Sequence, residues 1–488
     1  MVASIAYQSK REEFQQIRRN HWNAIAQTAA PLGWLKRGYD HRIAQVFDYA
    51  VGSGKRVLEL GCGKGKLLAA LKPTYGLGID FSEAMVAAAK AAYPSLQFVC
   101  ATAENLVEVL NPIAAVQAEP FDYILLPDIL NDVWDAQAVL DQARKLCSPG
   151  TRIVITAYSR VWEWPHKLAS ALGLATPRLV QNWLTVSDLN GMLHLSGFEI
   201  VSTRNEFLCP FPIPVLEPLF NRYVARLWPF RQLAATNFIV ARPVGFASRP
   251  LKVSVVVPAR NEAGNIRNII DRTPQMGAGT ELIFVEGHST DNTWATIQAE
   301  VAARPGVDIR TFKQTGKGKG DAVRLGFEKA TGDVLMILDA DLTVPPEMLP
   351  RFYDAIASGQ GEFINGVRLI YPMESEAMRP LNFLGNKFFS WAFSWLLGQP
   401  IKDTLCGTKV LSAKAYAAVA NGRSYFGNFD PFGDFDLLFG AAKQNMRIVE
   451  VPVRYEARTY GDTNIERWKH GVLLLRMVVF AARRIRFI

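Results

Sequence analysis

A run of apolar residues, 334–338, ends abruptly at Asp339 and Asp341. A short apolar run predicts a buried strand, and alternate side chains of a strand share a face, so the two carboxylates are expected to point the same way. Two oxygen ligands held together suit a hard divalent cation, Mg²⁺ or Mn²⁺, which in turn binds a diphosphate. An isolated Asp-x-Asp is more often a polar strand end entering a turn, so other motifs must decide between the two interpretations.

The composition limits the possible classes of protein. A chain of 488 residues is too long for one ordinary core and predicts two or three domains. The net charge of +9 indicates either an anionic partner, such as a nucleotide, nucleic acid or acidic membrane surface, or a slightly basic soluble enzyme. The five cysteines include no Cys-x-x-Cys pair, which favours reduced thiols over disulfides or a zinc site.

The ends and the basic residues indicate the compartment. Residues 1–20 are polar and charged, unlike a signal peptide, and no uncharged apolar run reaches the roughly 18 residues of a spanning helix. We therefore expect a cytoplasmic protein. The basic residues are dispersed and form no known recognition module, which argues against nucleic acid, beyond nucleotides, as a partner.

In the first half of the chain, a predicted strand at 56–60 runs directly into a glycine-rich turn. The glycines of this turn are Gly61, Gly63 and Gly65. A second strand, 77–79, ends at Asp80, about twenty residues after the first glycine. Glycines let a ligand approach the backbone, and the acid can bind a ribose diol. A dinucleotide fingerprint would need glycine at position 66, where this chain has Lys66.

This pattern resembles motif I of class I S-adenosyl-L-methionine (SAM)-dependent methyltransferases. The similarity covers residues 50–160 and, less specifically, continues to Pro243. It implies that SAM binds with its methionine moiety at the glycines, its ribose at Asp80 and its adenine beside residues 102–104. The implied cofactor-binding residues are Glu59, Gly61, Gly63, Gly65, Asp80, Thr102 and Glu104. The alternative is a degenerate Rossmann unit that binds nothing.

The methyl acceptor is not identified by these motifs. Methyl transfer is an in-line displacement in which positioning supplies much of the catalysis, so no fixed base is required. Asp128 and Asp132 follow the fourth predicted strand and either face the acceptor or begin a polar helix. Residues 160–240 are rich in Trp, Phe and Pro, and predict either a packed helical cap or an apolar acceptor pocket or membrane-facing surface.

A break in the pattern at 241–250 contains prolines, a glycine and a serine. We therefore predict a first domain at 1–243, a linker at 244–251 and a second domain at 252–488. In the second domain, predicted strands end at Pro258 and Glu286, and a helix that begins among glycines and lysines offers its N-terminus to phosphate.

These motifs, in this order, resemble family 2 glycosyltransferases with a GT-A fold, in particular the polyprenyl- and dolichol-phosphate mannose synthases. The resemblance runs from residue 253 to the C-terminus and implies a nucleotide-diphosphate sugar as donor. The implied nucleotide-sugar-binding residues are Pro258, Arg260, Glu262, Glu286, Lys319, Asp339 and Asp341, with Asp339 and Asp341 also holding the metal. The implied catalytic residues are Arg368, Asp434, Asp436 and Arg458.

Three positions depart from the family pattern. Arg260 replaces the commoner tyrosine, Thr343 stands where close relatives have glutamine, and Asn464 takes the place of lysine. These changes leave open the base preference, the third metal ligand and the contact with an acceptor phosphate.

The acceptor determines whether a general base is needed. A sugar hydroxyl requires a carboxylate base, for which Asp434 or Asp436 is the candidate, whereas a lipid phosphate is already anionic and requires none. Alternatively, this acidic pair only begins a helix.

Two segments suit a membrane surface. Residues 381–397 are aromatic and nearly uncharged, and an apolar stretch at 472–480 precedes Arg483, Arg484 and Arg486. Such segments fit an interfacial helix and an anionic cytoplasmic leaflet, although a core helix and a docking helix are the alternatives. We expect peripheral attachment to the cytoplasmic face of the membrane.

The sequence therefore predicts an α/β protein of two Rossmann-like three-layer domains, a class I methyltransferase fold followed by a GT-A fold. The expected function is metal-dependent inverting transfer of a sugar to a lipid-phosphate or glycan acceptor, combined with SAM-dependent methyl transfer to an acceptor that is not identified, for which a lipid-linked molecule and a sugar are the candidates. One alternative is an active glycosyltransferase whose first domain only senses SAM. Another is a non-enzymatic membrane scaffold with vestigial ligand domains. The sugar, both acceptors, the order of reactions and the oligomeric state stay open.

Overall fold

A computed structural model describes residues 2–27, 33–171, 179–211, 213–246, 249–368, 370, 380–427, 433–456, 458, 460 and 467–488. The chain forms two compact units, one of Met1–Gly245 with Phe487–Ile488, and one of Phe246–Arg486. Each unit contains one seven-stranded sheet with helices on both sides. The prediction of two α/β domains is confirmed.

The first unit is built on a mixed sheet with strand order β3-β2-β1-β4-β5-β7-β6. The strands are β1 (Arg56–Leu60), β2 (Tyr75–Asp80), β3 (Gln97–Cys100), β4 (Tyr123–Pro127), β5 (Arg152–Tyr158), β6 (Phe198–Glu206) and β7 (Thr236–Pro243). The helices are α1 (Val2–Gln27), α2 (Gly33–Val51), α3 (Lys66–Ala70), α4 (Glu83–Ala92), α5 (Leu106–Leu110), α6 (Ala114–Ala118), α7 (Ala136–Lys145), α8 (Glu163–Ala171), α9 (Val186–Leu195) and α10 (Leu216–Pro218). Only β7 runs against its neighbours.

The second unit has strand order β10-β9-β8-β11-β13-β12-β14. The strands are β8 (Val253–Ala259), β9 (Thr280–Glu286), β10 (Ile309–Lys313), β11 (Val334–Ile337), β12 (Phe363–Val367), β13 (Lys409–Ser412) and β14 (Ile448–Pro452). The helices are α11 (Ile266–Arg272), α12 (Thr293–Ala302), α13 (Lys319–Lys329), α14 (Leu349–Ala357), α15 (Pro380–Leu397), α16 (Ala413–Asn421), α17 (Phe435–Lys443) and α18 (Arg467–Ala481). Here β13 alone is antiparallel to its neighbours.

Local sequence explains the helices between the strands. In α7, Val139, Leu140 and Ala143 recur at helical spacing and are fully buried, so one face of the helix packs on the sheet. Asp135 begins this helix because its carboxylate accepts the N–H of Ala138 at 3.0 Å. Ser82 begins α4 in the same way, through the N–H of Met85.

Both sheets reverse their strand order beside the first strand of the unit. In the first unit β2 and β4 flank β1, and in the second unit β9 and β11 flank β8. Helices on opposite sides of the sheet diverge at such a reversal and leave a crevice at the carboxyl ends of the strands, where ligands of open α/β sheets bind. The topology therefore gives each unit one favoured ligand edge.

Among the helices of the described residues, none is long and apolar enough to cross a bilayer.

Gly326 tests how closely α13 packs on the sheet. A Cβ atom at this position would lie 2.3 Å from Cγ1 of Val256 on β8. We expect Gly326→Ala to lower the free energy of unfolding of the second unit, because overpacking costs about 1–3 kcal/mol and exceeds the roughly 0.5–1 kcal/mol that alanine adds within a helix.

Denaturant unfolding measures this change, with Gly191→Ala in α9 as the control, because a Cβ there would have no atom within 4 Å. The control variant should be unchanged or slightly more stable. Equal behaviour of the two variants would contradict the close packing of α13.

Candidate functional site

The polar residues of the second unit converge on the carboxyl edge of its sheet. Glu262, Asp339, Arg368 and Arg458 follow β8, β11, β12 and β14, which all run in the same direction, and Lys409 begins the antiparallel β13 at that edge. Because these strand ends meet beside the crevice, residues that are distant in the sequence become neighbours.

Asp339 and Asp341 have separate cationic partners. Strand β11 ends at Ile337, earlier than the sequence suggested, so both acids lie in the segment after the strand, where Leu342 has φ 55°, and not on one face of the strand. Asp339 binds the ammonium group of Lys319 at 2.6 Å, whereas Asp341 binds the guanidinium of Arg458 at 2.6 Å. Burial alone would raise the pKa of Asp339, but the nearby charge of Lys319 overrides it and holds this pKa below the usual value.

Arg458 joins two of the predicted nucleotide-binding residues. Its guanidinium lies 3.7 Å from Glu262 in addition to binding Asp341. Burial raises the pKa of Glu262 above its usual value, and the amide of Asn265 and the charge of Arg458 oppose that shift. Thr343, which stands where relatives carry glutamine, donates its hydroxyl to Asp341 at 2.8 Å and so fixes the orientation of that carboxylate.

Lys319 lies between Asp339 and Asp434. Its ammonium group is 3.9 Å from Asp434, and together the two acids raise the pKa of Lys319 although burial alone would lower it. Glycines allow the segments that carry Lys319, Asp339 and Asp434 to come this close to one another. A Cβ on Gly433 would lie 2.4 Å from the Cα of Gly320, and a Cβ on Gly407 would lie 1.8 Å from a carboxylate oxygen of Asp339. The starts of α13 and α17 can therefore meet only as glycine against glycine.

Arg368 is held by a carboxylate that the motifs did not identify. Its Nε and terminal nitrogen donate to the two oxygens of Asp403 at 2.7 and 2.9 Å, a bidentate pair in which Asp403 is buried. The pair keeps the pKa of Asp403 below its usual value, against the effect of burial. The sequence around Asp403 carries no motif, so only the structure identifies this partner.

Asp436 and Asp434 differ in their surroundings although a single residue separates them. Asp436 lies in the first turn of α17 and accepts a hydrogen bond from Arg423 at 2.7 Å. Asp434 instead lies 3.6 Å from the ammonium group of Lys409, a lysine with no exposed surface that the sequence reasoning missed. The sequence feature that could have identified Lys409 is its position at the start of a mostly apolar strand. The structure groups Asp434 with Lys319 and Asp339, and ties Asp436 to Arg423.

The remaining predicted residues lie around the same crevice. Pro258 is in the last part of β8, Arg260 is exposed immediately after it, and Glu286 ends β9, where its carboxylate accepts the N–H of Ser289 at 2.5 Å. Asn464 lies outside the described residues.

The donor set is compatible with a magnesium-like cation. In the part of the chain that the structure describes, no three His, Cys, Asp or Glu side chains converge as a metal cluster. Mg²⁺ sites in phosphate-binding enzymes commonly use one or two carboxylates, with substrate phosphate and water completing the shell. Asp339 and Asp341 fit that arrangement: their carboxylates would bind the metal, and the adjacent Lys319 and Arg458 would also contact the diphosphate.

In the first unit, Asp80 holds the glycine turn in place. Its two carboxylate oxygens accept the N–H groups of Gly63 and Ser82, each at 2.9 Å. Gly61, Gly63 and Gly65 all have left-handed backbone, with φ of 72°, 50° and 74°. A Cβ on Gly65 would lie 2.7 Å from Phe98, whereas a Cβ on Gly63 would have no atom within 4 Å. The turn is therefore shaped to expose backbone to a ligand, which fits the binding of a nucleoside cofactor.

Helix α1 contacts the ligand edge of the first unit, which the sequence did not predict. Arg11 and Gln15 donate to Glu104 at 2.7 and 2.8 Å, and Asn23 accepts the hydroxyl of Ser82 at 2.6 Å. The carboxylate of Glu104 thus anchors the helix. Thr102, the other residue expected beside the adenine, precedes the short turn Ala103–Asn105 at this edge.

Asp128 and Asp132 both have defined partners. Asp128 has an unusual left-handed backbone, φ 57°, and its carboxylate accepts the hydroxyls of Tyr39 at 3.0 Å and Thr156 at 2.7 Å. Burial, followed by the charge of Asp128, raises the pKa of Tyr39. Asp132 accepts hydrogen bonds from Arg18 and Trp22 of α1 at 2.9 and 2.7 Å.

Comparisons with known proteins identify two domains in the chain. Residues 32–203 match the family described as "Methyltransferase domain", and residues 254–416 match "Glycosyl transferase family 2". The chain carries a methyltransferase domain followed by a family 2 glycosyltransferase domain. The methyltransferase match includes the turn after β1, and the glycosyltransferase match includes Glu262, Asp339 and Asp341.

Relatives of the glycosyltransferase domain are named for lipid-phosphate and glycan chemistry. A dolichol-phosphate mannosyltransferase of Pyrococcus furiosus is 38% identical over 22% of this chain and 31% of its own length. The low-salt glycan biosynthesis hexosyltransferase Agl6 of Haloferax volcanii is 27% identical over 46% of this chain and 53% of its own length. A solved structure of glucosyl-3-phosphoglycerate synthase from Mycobacterium tuberculosis is 20% identical, with a TM-score of 0.36, and covers 48% of this chain and 79% of that chain. The chain therefore spans about a third to a half of the length of these two curated relatives.

Glu59 of the methyltransferase domain should make stability depend on pH. Burial raises the pKa of this glutamate to about 8, Asp80 adds to the shift, and the N–H of Leu68 opposes it. In the unfolded chain the pKa is about 4.3. Between these values the folded state alone holds the proton, so the free energy of unfolding falls as pH rises towards 8, by up to roughly 1.4 kcal/mol per pH unit.

We expect Glu59→Gln, which cannot ionise, to remove this contribution. Thermal or denaturant unfolding of both proteins at pH 5, 6.5 and 8 measures it, and the wild-type protein should lose more stability than the variant over this range. A constant difference between the two proteins at all three pH values would show that Glu59 does not titrate in this way.

Proposed function

We propose that the chain is a bifunctional enzyme. The glycosyltransferase domain transfers a sugar, with inversion and with Mg²⁺ or Mn²⁺, from a nucleotide-diphosphate sugar to a lipid-phosphate or glycan acceptor. The methyltransferase domain transfers a methyl group from SAM to a separate acceptor. The observation that supports the glycosyl transfer most directly is the carboxylate-and-cation network at the strand-order reversal, in which Lys319 and Arg458 hold Asp339 and Asp341.

The charges of this network suit a diphosphate leaving group. Two carboxylates one residue apart would hold the metal, which supplies positive charge to the departing diphosphate. Lys319 and Arg458 lie against the same carboxylates and would contribute further positive charge, which is the preorganised stabilisation that such a transfer requires. The bidentate Arg368–Asp403 pair fixes a third guanidinium at this edge.

The acceptor of the sugar determines the role of Asp434. With a hydroxyl acceptor, Asp434 is the better-placed base, because Lys319 links it to Asp339 of the proposed metal site, whereas Asp436 contacts Arg423. With a lipid phosphate no proton is removed, and Asp434 instead orients the donor sugar. The names of the relatives, among them dolichol-phosphate mannosyltransferase, support the lipid phosphate.

For methyl transfer, we propose that SAM occupies the edge formed by the turn after β1, Asp80 and the segment that contains Thr102 and Glu104. The open side of Gly63 supports the placement of the methionine moiety there. Asp128 follows the adjacent strand β4, and Asp128 and the Tyr39 hydroxyl that donates to it would face the acceptor. Positioning of the acceptor against the sulfonium then supplies the catalysis.

We also propose domain limits of 1–243 and 252–488, with a linker at 244–251, and peripheral attachment of the enzyme to the cytoplasmic face of a membrane. Exposed apolar residues on α15 and α18 support the attachment: Trp391 on α15, and Val472, Leu475 and Val479 on α18.

A pair of matched variants tests whether the two domains have the proposed ligands. Asp341→Asn should abolish Mn²⁺-dependent binding of UDP or GDP, because it removes one carboxylate of the metal site, and should leave SAM binding unchanged. Asp80→Asn should weaken SAM binding by at least about tenfold, because an amide cannot accept both backbone N–H groups, and should leave nucleotide binding unchanged. Calorimetric titration of the full chain measures both.

Each variant is the control for the other. Loss of both ligands in one variant would contradict independent domains. A wild-type chain that binds neither SAM nor nucleoside diphosphates would overturn the enzymatic proposal in favour of a scaffold. SAM binding without methyl transfer to any lipid-linked glycan would favour the regulatory alternative for the first domain.

A further inference from the structure

The methyltransferase unit exposes an unusual concentration of apolar side chains. They lie in residues 159–171, 207–211 and 213–235, together named here the apolar cap. Its most exposed members include Trp164 at 77%, Val215 at 77% and Trp228 at 72%. Isolated exposed apolar residues are ordinary, but a contiguous group of this kind marks an interaction surface or a membrane surface.

Hydrogen bonds join the parts of the apolar cap into one surface. The indole N–H of Trp162 donates to the carbonyl of Leu233 at 2.7 Å. The N–H of Ser159 donates to the carbonyl of Ala235, and the N–H of Ala235 donates to the carbonyl of Phe207, both at 2.8 Å. The segments after β5 and β6 and the segment before β7 are therefore side by side.

The apolar cap lies at the ligand edge of the unit. Strands β5 and β6 end there and the antiparallel β7 begins there, so the cap shares its edge with the glycine turn after β1 and with Asp80. The ring of Phe207 packs edge-on against Tyr39 at 5.1 Å, and Tyr39 donates to Asp128 after β4. The cap thus adjoins the residues proposed to face the methyl acceptor.

Charge and side-chain type favour a lipid surface as the occupant. Exposed Arg160, Arg222 and Arg231 are interspersed among the tryptophans. The acids of the cap are partnered: Glu163 binds Lys167 at 2.8 Å and Glu217 accepts a hydrogen bond from Asn221 at 2.7 Å. Tryptophan prefers the boundary between lipid headgroups and acyl chains, and cationic side chains are attracted to anionic headgroups.

We propose that the apolar cap docks the methyltransferase unit on an anionic bilayer and that the methyl acceptor is a lipid-linked molecule presented by that bilayer. This inference rests on the proposed methyltransferase function. It adds a membrane contact of the first unit itself to the contact proposed for α15 and α18, and gives the acceptor a hydrophobic anchor. An acceptor held in the bilayer reaches the edge of the sheet beside Asp128 without leaving the lipid.

Co-sedimentation of the full chain with vesicles tests the inference. Vesicles of phosphatidylcholine with phosphatidylglycerol are compared with vesicles of phosphatidylcholine alone. The variant Trp164→Ser/Trp228→Ser/Phe230→Ser removes three exposed side chains of the cap and should lower the partition coefficient on anionic vesicles by about tenfold or more. Leu195→Ser is the matched control, because Leu195 is 77% exposed at the end of α9, on the opposite edge of the sheet, and should leave partitioning unchanged.

Vesicle partitioning tests the docking of the apolar cap, and SAM affinity tests the proposed function, so the two can fail independently. SAM affinity, measured by calorimetry, should be the same in the variant and the wild-type protein, which also shows that the variant is folded. If the triple variant loses SAM binding, the single variant Trp228→Ser replaces it in the same comparison, with a smaller decrease in partitioning expected. Wild-type partitioning by a variant that binds SAM would overturn the lipid-docking cap and leave the proposed function intact.

The oligomeric state distinguishes a second occupant. If the variant converts a dimer of the wild-type chain into a monomer without vesicles and still partitions normally, the cap is an interface between copies of this chain and the inference is wrong. A wild-type chain that binds vesicles but not SAM would instead refute the proposed methyltransferase function on which the choice of acceptor depends.

Discussion

The separate compensation of two neighbouring carboxylates determines how the charges of the site in the second unit are arranged. Asp339 and Asp341 are one residue apart in a crevice with limited access to water, where like charges repel and each requires a counter-charge. Lys319 at the start of α13 neutralises one, and Arg458 after β14 neutralises the other. These two contacts connect distant segments at a single strand end, and the same two cations also lie close to Glu262 and Asp434.

This assembly has a consequence for ligand binding. The cations that stabilise the carboxylates are also the groups that would meet a diphosphate, so a nucleotide would enter a site whose charges are already positioned. Preorganised charge of this kind needs little rearrangement when the leaving group acquires negative charge. Arg368 follows the same principle, because Asp403 fixes its guanidinium in a bidentate pair.

In the first unit the glycine turn is held by hydrogen bonds to the backbone, whereas in the second unit the two acids of the site are held by ion pairs. The two carboxylate oxygens of Asp80 accept the backbone N–H groups of Gly63, in the glycine turn, and of Ser82. Glu59 is buried nearby, and its burial raises its pKa. The turn is thus fixed by hydrogen bonds and left-handed glycines, and leaves open space on the side of Gly63. Helix α1 contacts this edge at Glu104, beside the proposed SAM site, and at Asp132, in the segment after β4 that we propose lies near the methyl acceptor.

The sequence by itself determined the fold class and the order of the strands and turns that carry the sites. Alternating apolar strands and helices, the glycines at 61–65, and the acids at 80, 339 and 341 are local patterns, and residues adjacent in the chain stay adjacent in the fold. It did not determine which cation meets which acid. Arg458 is 117 residues from Asp341, Arg11 is 93 residues from Glu104, and Asp403 and Lys409 lie in no recognised motif. These contacts depend on strand order and helix packing, because pairing between distant segments exists only once the sheets have formed. The sequence likewise identified the aromatic stretch after β5, but only the tertiary structure decided that its side chains face outward at the ligand edge.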